Sequence, residues 1–579
     1  MNDAPVLSSR LAVFVLLAIA WVAPVRAEPA LYDFIRAHVD PVTGTLQPEA
    51  LTLPDESTGR RSARLHWAPG ALEGLGTRHI KWDGSEKASH AARLLELIAA
   101  GNEAAEPVLQ ELLRADDVVT FYNDALDLAA SRVRDPEPEL HALARRLATE
   151  STDRGAVKFG IAMLGSMGDV RDLPIVQTLA LHDEFGLYAA EAIAELAPNR
   201  QQALYDMARK LNGWGRIEAV SRMVATKDPS LRRWLLTEGF RNTVTPQYLA
   251  YQCVTIADLA GALRDLSPKE KPDVPLLVGA ADLIQSLLKP GPGVGFEAYE
   301  DAPQAATAFL QNIQNRREAV TFYLAAIALR DYVGAMRRSP EQGLPPIAAL
   351  DDTAPAAPGT ANDASAHERG KHARQSGTPG SGDGTPRSGD IPIDDQPAPE
   401  LAPWTIEQQR DVAALATRVA DDPSWRRHVV AAVLADDTNL DQAELAARKL
   451  DIKTFDLHLR RLSQHSDNAH RWELAFAAAE PQQIKRLVSV AEDTSGAARE
   501  AVLHGVARYP GAGMEIVETS LSNSDRGVRR AAVETLMRWG GPYLRNVSVR
   551  LALNDAARRE SDAALKARIV ALLDLGTRP

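Results

Sequence analysis

The chain has 579 residues, 45% of them hydrophobic and 25% charged, ordinary values for a soluble protein and length enough for several domains or one long repeat array. A net charge of −12 disfavours a polyanionic partner, because nucleic-acid binding draws on clustered Lys and Arg. Aromatics are 5% and Ala and Leu dominate, which suits helix-on-helix packing better than sheets, and the only cysteine, Cys253, rules out an intrachain disulfide.

Residues 1–27 read as a signal peptide. Arg10 precedes the apolar run Leu11 to Ala23, and Val25-Arg26-Ala27 offers short side chains at a cleavage site after Ala27. The run is short for a bilayer span and no second long apolar stretch follows. The mature chain is therefore expected to lack an integral membrane span and to be periplasmic or secreted. Residues 28–88 mix Pro, Gly and charge with isolated aromatics (Tyr32, Phe34, Trp67, Trp82). A short helix is expected near Leu31–His38, and the region is expected to cap the first repeat of an array.

From Ser89 the apolar spacing becomes helical. Segments follow at roughly 104–114, 116–133, 137–149, 154–167, 171–181, 183–197, 199–211, 214–226 and 229–239, joined by Gly101-Asn102, Asp135-Pro136, Gly168-Asp169, Pro198-Asn199 and Asp228-Pro229. The run 244–338 stays helical but is broken by Lys289 to Gly295, and its last helix is expected over 316–338. This first block spans 89–340. Residues 341–403 are rich in Pro, Gly and Ser; within 351–400 only Ile391 and Ile393 are large and apolar, so a disordered linker is expected. Residues 404–579 resume the helical pattern, with segments at roughly 405–420, 422–435, 440–449, 452–463, 467–478, 480–492, 496–509, 512–523, 525–540, 542–554 and 559–574.

A helix-start signature recurs: Asp228 with Arg232, Asp422 with Arg426, Asp467 with Arg471, Asp525 with Arg529 and Asp562 with Lys566, with Ser495 and Arg499 as a variant. The acid is expected to accept from a first-turn amide, and the base four positions on can pair with it. Recurrence at hairpin spacing marks a stacked array, so the fold is expected to be an all-α solenoid of helical hairpins in two blocks. In Asp525 to Leu536, Val528, Ala531, Ala532, Thr535 and Leu536 form one apolar-to-small stripe. This stretch resembles the second helix of a HEAT repeat, as do Asp228 to Leu236 and Asp422 to Val430. The resemblance covers roughly 90–260 and 405–575. It implies antiparallel pairs in a superhelix, with Asp228/Arg232, Asp422/Arg426, Asp467/Arg471 and Asp525/Arg529 in ladders between neighbouring units. A looser likeness, in Leu211 to Arg216, Gly239 to Asn242 and Tyr248 to Tyr251, is to bacterial HEAT-type proteins of unestablished role.

Motifs for chemistry are sparse. Gly291-Pro292-Gly293-Val294-Gly295 lacks the Lys and the preceding strand of a phosphate loop, and Gly165-Ser166-Met167-Gly168 misses the spacing of a nucleophile elbow. His458, His465 and His470 are the densest histidines, but their spacing does not build a metal site, and they read as surface residues. His182-Asp183-Glu184 reads as a helix start whose acids complement the dipole. Cys253 sits in an apolar context and reads as a buried thiol. Trp214, Arg216, Arg241, Asn242, Tyr248 and Tyr251 are the candidate partner-binding cluster, being rich in the residue types that anchor interfaces; the competing reading places the aromatics in the core between repeats. The expectation is an exported, non-enzymatic scaffold that binds a protein or peptide partner through the concave face of the solenoid, with no cofactor, no metal, no catalytic residues and no nucleic acid. The alternatives are an enzyme on a HEAT-like scaffold, such as a lyase with a site assembled from several repeats, and a cell-envelope assembly or stability factor.

Overall fold

The computed structural model describes residues 28–57, 67–132, 138–266, 273–338, 404–435 and 439–577. The expected signal peptide and the expected linker lie outside them. Among the described residues the chain is all-helical, and the one strand-like pairing is an isolated antiparallel bridge between Val39 and Leu46. No described helix is long and apolar enough to cross a membrane.

The chain forms two compact units. The first holds the described residues up to Met223 together with Asn242–Val244; the second holds Val224–Arg241 and the described residues from Thr245 onward. In the first, helices pack in series: Ser85–Ala99 on Tyr122–Arg132, Pro138–Glu150 on Arg154–Met167, Arg154–Met167 on Gly186–Leu196, and that helix on Trp214–Ser221. The alternation is what short connections between antiparallel helices produce. Asp153 starts Arg154–Met167 by accepting from the amides of Gly155 (2.9 Å) and Ala156 (3.2 Å). At Gly160 a Cβ would stand 2.7 Å from the backbone nitrogen of Ala148, so glycine is what lets this helix approach Pro138–Glu150 so closely.

In the second unit Val274–Leu288 packs on Val320–Arg338, and Val320–Arg338 on Ile406–Ala420. The helices on either side of 339–403 are thus direct neighbours. Phe296, Tyr332 and Trp404 seal that contact, with ring centroids 5.9–6.1 Å apart. Beyond it Ala469–Ala478, Gly496–Val506, Arg526–Trp539 and Ala563–Leu575 stack in turn. One core runs through them, including Trp472, Phe476, Val502, Leu536, Leu553 and Ile569. The predicted stripe of the Asp525 segment is buried in full.

Several elements differ from the sequence reading. The segment 116–133 is a 3-10 turn, Val118–Thr120, followed by Tyr122–Arg132. Residues 229–239 divide into Pro229–Trp234 and a π-helical turn, Leu235–Gly239. The helix expected over 316–338 begins at Val320, because Arg316 and Arg317 are used to close the preceding helix: Arg316 Nε donates to Asn312 O (2.8 Å) and Arg317 Nη1 to Gln314 O (3.2 Å). The N-terminal segment is more than a cap on the first pair. Leu31–Ala37 packs against Pro138–Glu150 and Leu173–Leu179, and Ala71–His79 reaches Trp214–Ser221.

Candidate functional site

The first unit buries an unusual number of charges. Arg154 and Lys158 project from one helix, four positions apart and therefore on one face. Each meets the N-terminal segment. Arg154 Nη2 donates to Asp55 Oδ1 at 2.6 Å and its Nε to Asp55 Oδ2 at 2.9 Å; Glu56 is a further partner. Lys158 is clasped by Glu73 and by Glu184, the latter at 2.7 Å. Glu184 also accepts from the amide of Gly70 at 3.2 Å and lies 3.3 Å from Arg154. Burial pushes the Glu184 carboxyl up, but Lys158 and Arg154 outweigh it and hold it at about 2. Glu73 has the one cation and the neighbouring Glu184 charge, so burial wins and its carboxyl is raised. His182 accepts the Glu184 amide at Nδ1 (3.1 Å), which leaves Nε2–H to donate to Leu51 O at 3.3 Å; burial pushes its pKa down.

A second set lies alongside. Glu218, almost wholly buried, receives Arg78 at 2.5 Å and Arg222 at 2.6 Å. Arg222 also reaches Glu191 at 2.7 Å, and Glu191 accepts from the Tyr122 phenol at 2.9 Å. Tyr188 stands edge-on to Tyr122, ring centroids 4.9 Å apart, and its buried hydroxyl finds no hydrogen-bond partner among the described residues. Burial and the nearby Glu73 charge raise that phenol well above its ordinary value. Taken chemically, the two sets are charge-assisted pins. The N-terminal segment supplies Asp55, Glu56, Glu73 and Arg78, and the helical array supplies the complements.

The six predicted partner-binding residues divide between the units. In the first, Trp214 is 5% exposed, packed against Gly74 so closely that no Cβ fits there, with the Arg78 guanidinium 5.8 Å from its ring centroid. Trp214 is thus covered by the N-terminal segment. Arg216 Nε donates to Leu211 O at 2.7 Å and Ala208 O at 3.1 Å, closing the end of Arg200–Lys210. Asn242 accepts from the amide of Val244 at 2.9 Å. In the second unit Arg241 reaches Asp282 at 2.7 Å, and Tyr248 and Tyr251 are half-buried.

The repeat-start residues behave as caps with two exceptions, Asp467 and Ser495, the latter standing at the start of Gly496–Val506 without a side-chain hydrogen bond to it. Asp228, Asp422 and Asp525 accept from the amides two residues on, at 2.8, 2.8 and 2.7 Å, and Asp562 from Leu565 at 2.8 Å. Asp467 is exposed and does not cap its helix; Asn468 does, accepting from the amide of Arg471 at 3.0 Å. The bases do not fold back on their own acids. Arg232 reaches Ala257 O (2.9 Å) and Asp258 (3.2 Å), Arg426 reaches Leu450 O (2.5 Å), and Arg529 reaches Glu560 (2.7 Å). Each of these ties one helix pair to the loop that opens the next. Arg471 instead runs back to Val433 O (2.7 Å) and Ala435 O (2.5 Å). Arg499, likewise, donates to Ala491 O at 3.3 Å.

One histidine reading is corrected and another extended. His458 is fully buried; its Nδ1 faces Arg471 at 3.4 Å and its Nε2 faces Glu444 at 2.7 Å, whereas His470 is exposed beside Asp441. His182-Asp183-Glu184 is a helix start with both acids in its first turn, as expected, but the acids also serve distant elements: Asp183 accepts the amide of Gly215 at 2.7 Å and Glu184 accepts from Lys158. Cys253 is buried, as its setting implies. Sequence reasoning missed the Lys158 cluster, although a lysine inside the apolar run Ala156 to Leu164 was a visible signal.

No family model matches the chain, and no curated protein matches it. Among solved structures the chain is similar to a circular tandem repeat protein with novel repeat topology and enhanced subunit contact surfaces, at 14% identity over 86% of this chain and 96% of that one, with a TM-score of 0.11. That score carries no argument, so the helical architecture rests on the packing described above.

Proposed function

We propose that this chain is an exported, non-enzymatic scaffold of HEAT type whose helical array binds a protein or peptide partner. The observation that carries the reading is the serial stacking of helix pairs within each unit, tied pair to pair in the second by Arg232, Arg426 and Arg529. Such a stack presents successive helices along one extended surface, the form that repeat proteins use for recognition. Fold alone does not assign activity, so the proposal rests on that surface and on residues it leaves accessible. Tyr248, Tyr251 and Arg241 in the second unit are half-buried and can contribute to contact without being the core. The test is capture from an envelope extract with wild type, with Tyr248→Ala/Tyr251→Ala and with Arg241→Ala. A single reproducible protein lost with these variants, while their melting is unchanged, supports the scaffold. Recovery of a bound small molecule or metal and no protein would overturn it.

A further inference from the structure

We infer that the helix Ala71–His79 is a detachable self-ligand, seated over Trp214 on a surface that takes a partner helix of the same chemistry. The inference rests on the scaffold reading for the existence of a partner, but not for the self-contact. Three observations converge. The helix buries Ala71, Glu73, Gly74 and Gly76 fully, while its two large apolar side chains, Leu72 and Leu75, are only half-buried. Its glycines suit it poorly to be a helix at all. Besides those two half-buried leucines, what holds it is charge and one aromatic face: Glu73 on Lys158, Arg78 on Glu218, the Gly70 amide on Glu184, and Trp214 against Gly74. By contrast Leu31–Ala37, a little earlier in the chain, buries Leu31 and Ile35.

The physical consequence follows from desolvation. Buried ion pairs fix register but add little net free energy, because removing both charges from water offsets most of their attraction. A helix docked this way is specific and weakly held, so a competitor offering the same groups can displace it. The array side defines that competitor: a helix with glycine or alanine along one side, a carboxylate that reaches Lys158, and an arginine five positions later that reaches Glu218 and stacks on Trp214. A partner that uses Trp214 must first lift the chain's own helix, so the closed state lowers its apparent affinity.

The experiment uses the full chain and a synthetic peptide of residues 67–82. In wild type, hydrogen exchange at the amides of 73–79 is expected to be about tenfold or more faster than in Val157–Leu164. Full-length Glu73→Gln/Arg78→Ala, with its own helix loosened, should bind the wild-type peptide about tenfold or more tighter than wild type does. A peptide carrying the same two changes should not bind. Equal protection of 73–79 and 157–164 in wild type would overturn the inference, as would a folded loosened variant that ignores the wild-type peptide. If that variant does not fold, the wild-type exchange pattern alone decides. Peptide binding that no envelope protein can compete would uphold the self-contact and remove the scaffold reading.

Discussion

Replacing Lys158 with Met removes the cation between Glu73 and Glu184 and leaves a side chain of similar length. Arg154 still stands 3.3 Å from Glu184, but Glu73 loses the lysine that clasps it. A carboxylate this deeply buried will take a proton rather than stay charged. From an ordinary value of 4.5, holding Glu73 neutral at pH 7 costs about 3 kcal/mol at 1.36 kcal/mol per unit. That agrees with the range of about 3–5 kcal/mol for breaking a buried pair by removing one partner. The sign is diagnostic: a carboxyl with a raised folded value adds stability at low pH that is lost as pH climbs. Because the Glu73 carboxyl is already raised in the wild type, the deficit of Lys158→Met against it should be at most about 3 kcal/mol at pH 7 and smaller at pH 5. Urea unfolding followed by far-ultraviolet circular dichroism at the two pH values measures it. Adding Glu73→Gln should recover most of the pH 7 loss. A deficit below about 1 kcal/mol at pH 7, or one that does not change with pH, would refute the account of this cluster.

Four further outcomes follow. In wild type Glu184 behaves oppositely to Glu73: its carboxyl is held at about 2, so its contribution is present above its ordinary value of 4.5 and is lost as pH falls toward 2, read as a falling urea midpoint. Asn468→Ala should cost about 1 kcal/mol, whereas Asp467→Ala should cost almost nothing; equal losses in thermal melts would contradict the cap assignment. Tyr188→Phe removes a buried hydroxyl with no partner among the described residues, so the melting temperature should hold or rise. Arg529→Ala strips a nearly buried Glu560 of its guanidinium, whose hydrogen bonds hold that carboxyl at about 2. It should cost about 1–2 kcal/mol, with faster exchange confined to helices after Arg526.

The all-helical stack was legible because its signals are local. Helix starts need a short polar acceptor, and Asp228, Asp422 and Asp525 supply it within a few residues of the amides they satisfy. Burial of the Asp525 stripe follows from a period of 3.6 residues. Where two acceptors adjoin, as Asp467 and Asn468 do, local pattern does not choose; backbone geometry at the turn does. The direction of the arginines was equally hidden. Each Asp and its base four residues on can pair within one helix, yet Arg232 and Arg529 reach the next helix pair, where a carbonyl or carboxylate is better placed than their own cap.

The sequence by itself determined that the chain is helical, where its helices punctuate and which stripes turn inward, because hydrogen-bond capping and apolar periodicity act over a handful of residues. Only the tertiary structure decided that Asp55, Glu73 and Arg78 would meet Arg154, Lys158 and Glu218 across 85 to 140 residues. It alone placed Trp214 beneath a glycine-faced helix and His458 in the interior. Those pairings depend on which distant surfaces are desolvated together, and no periodicity in the chain encodes that.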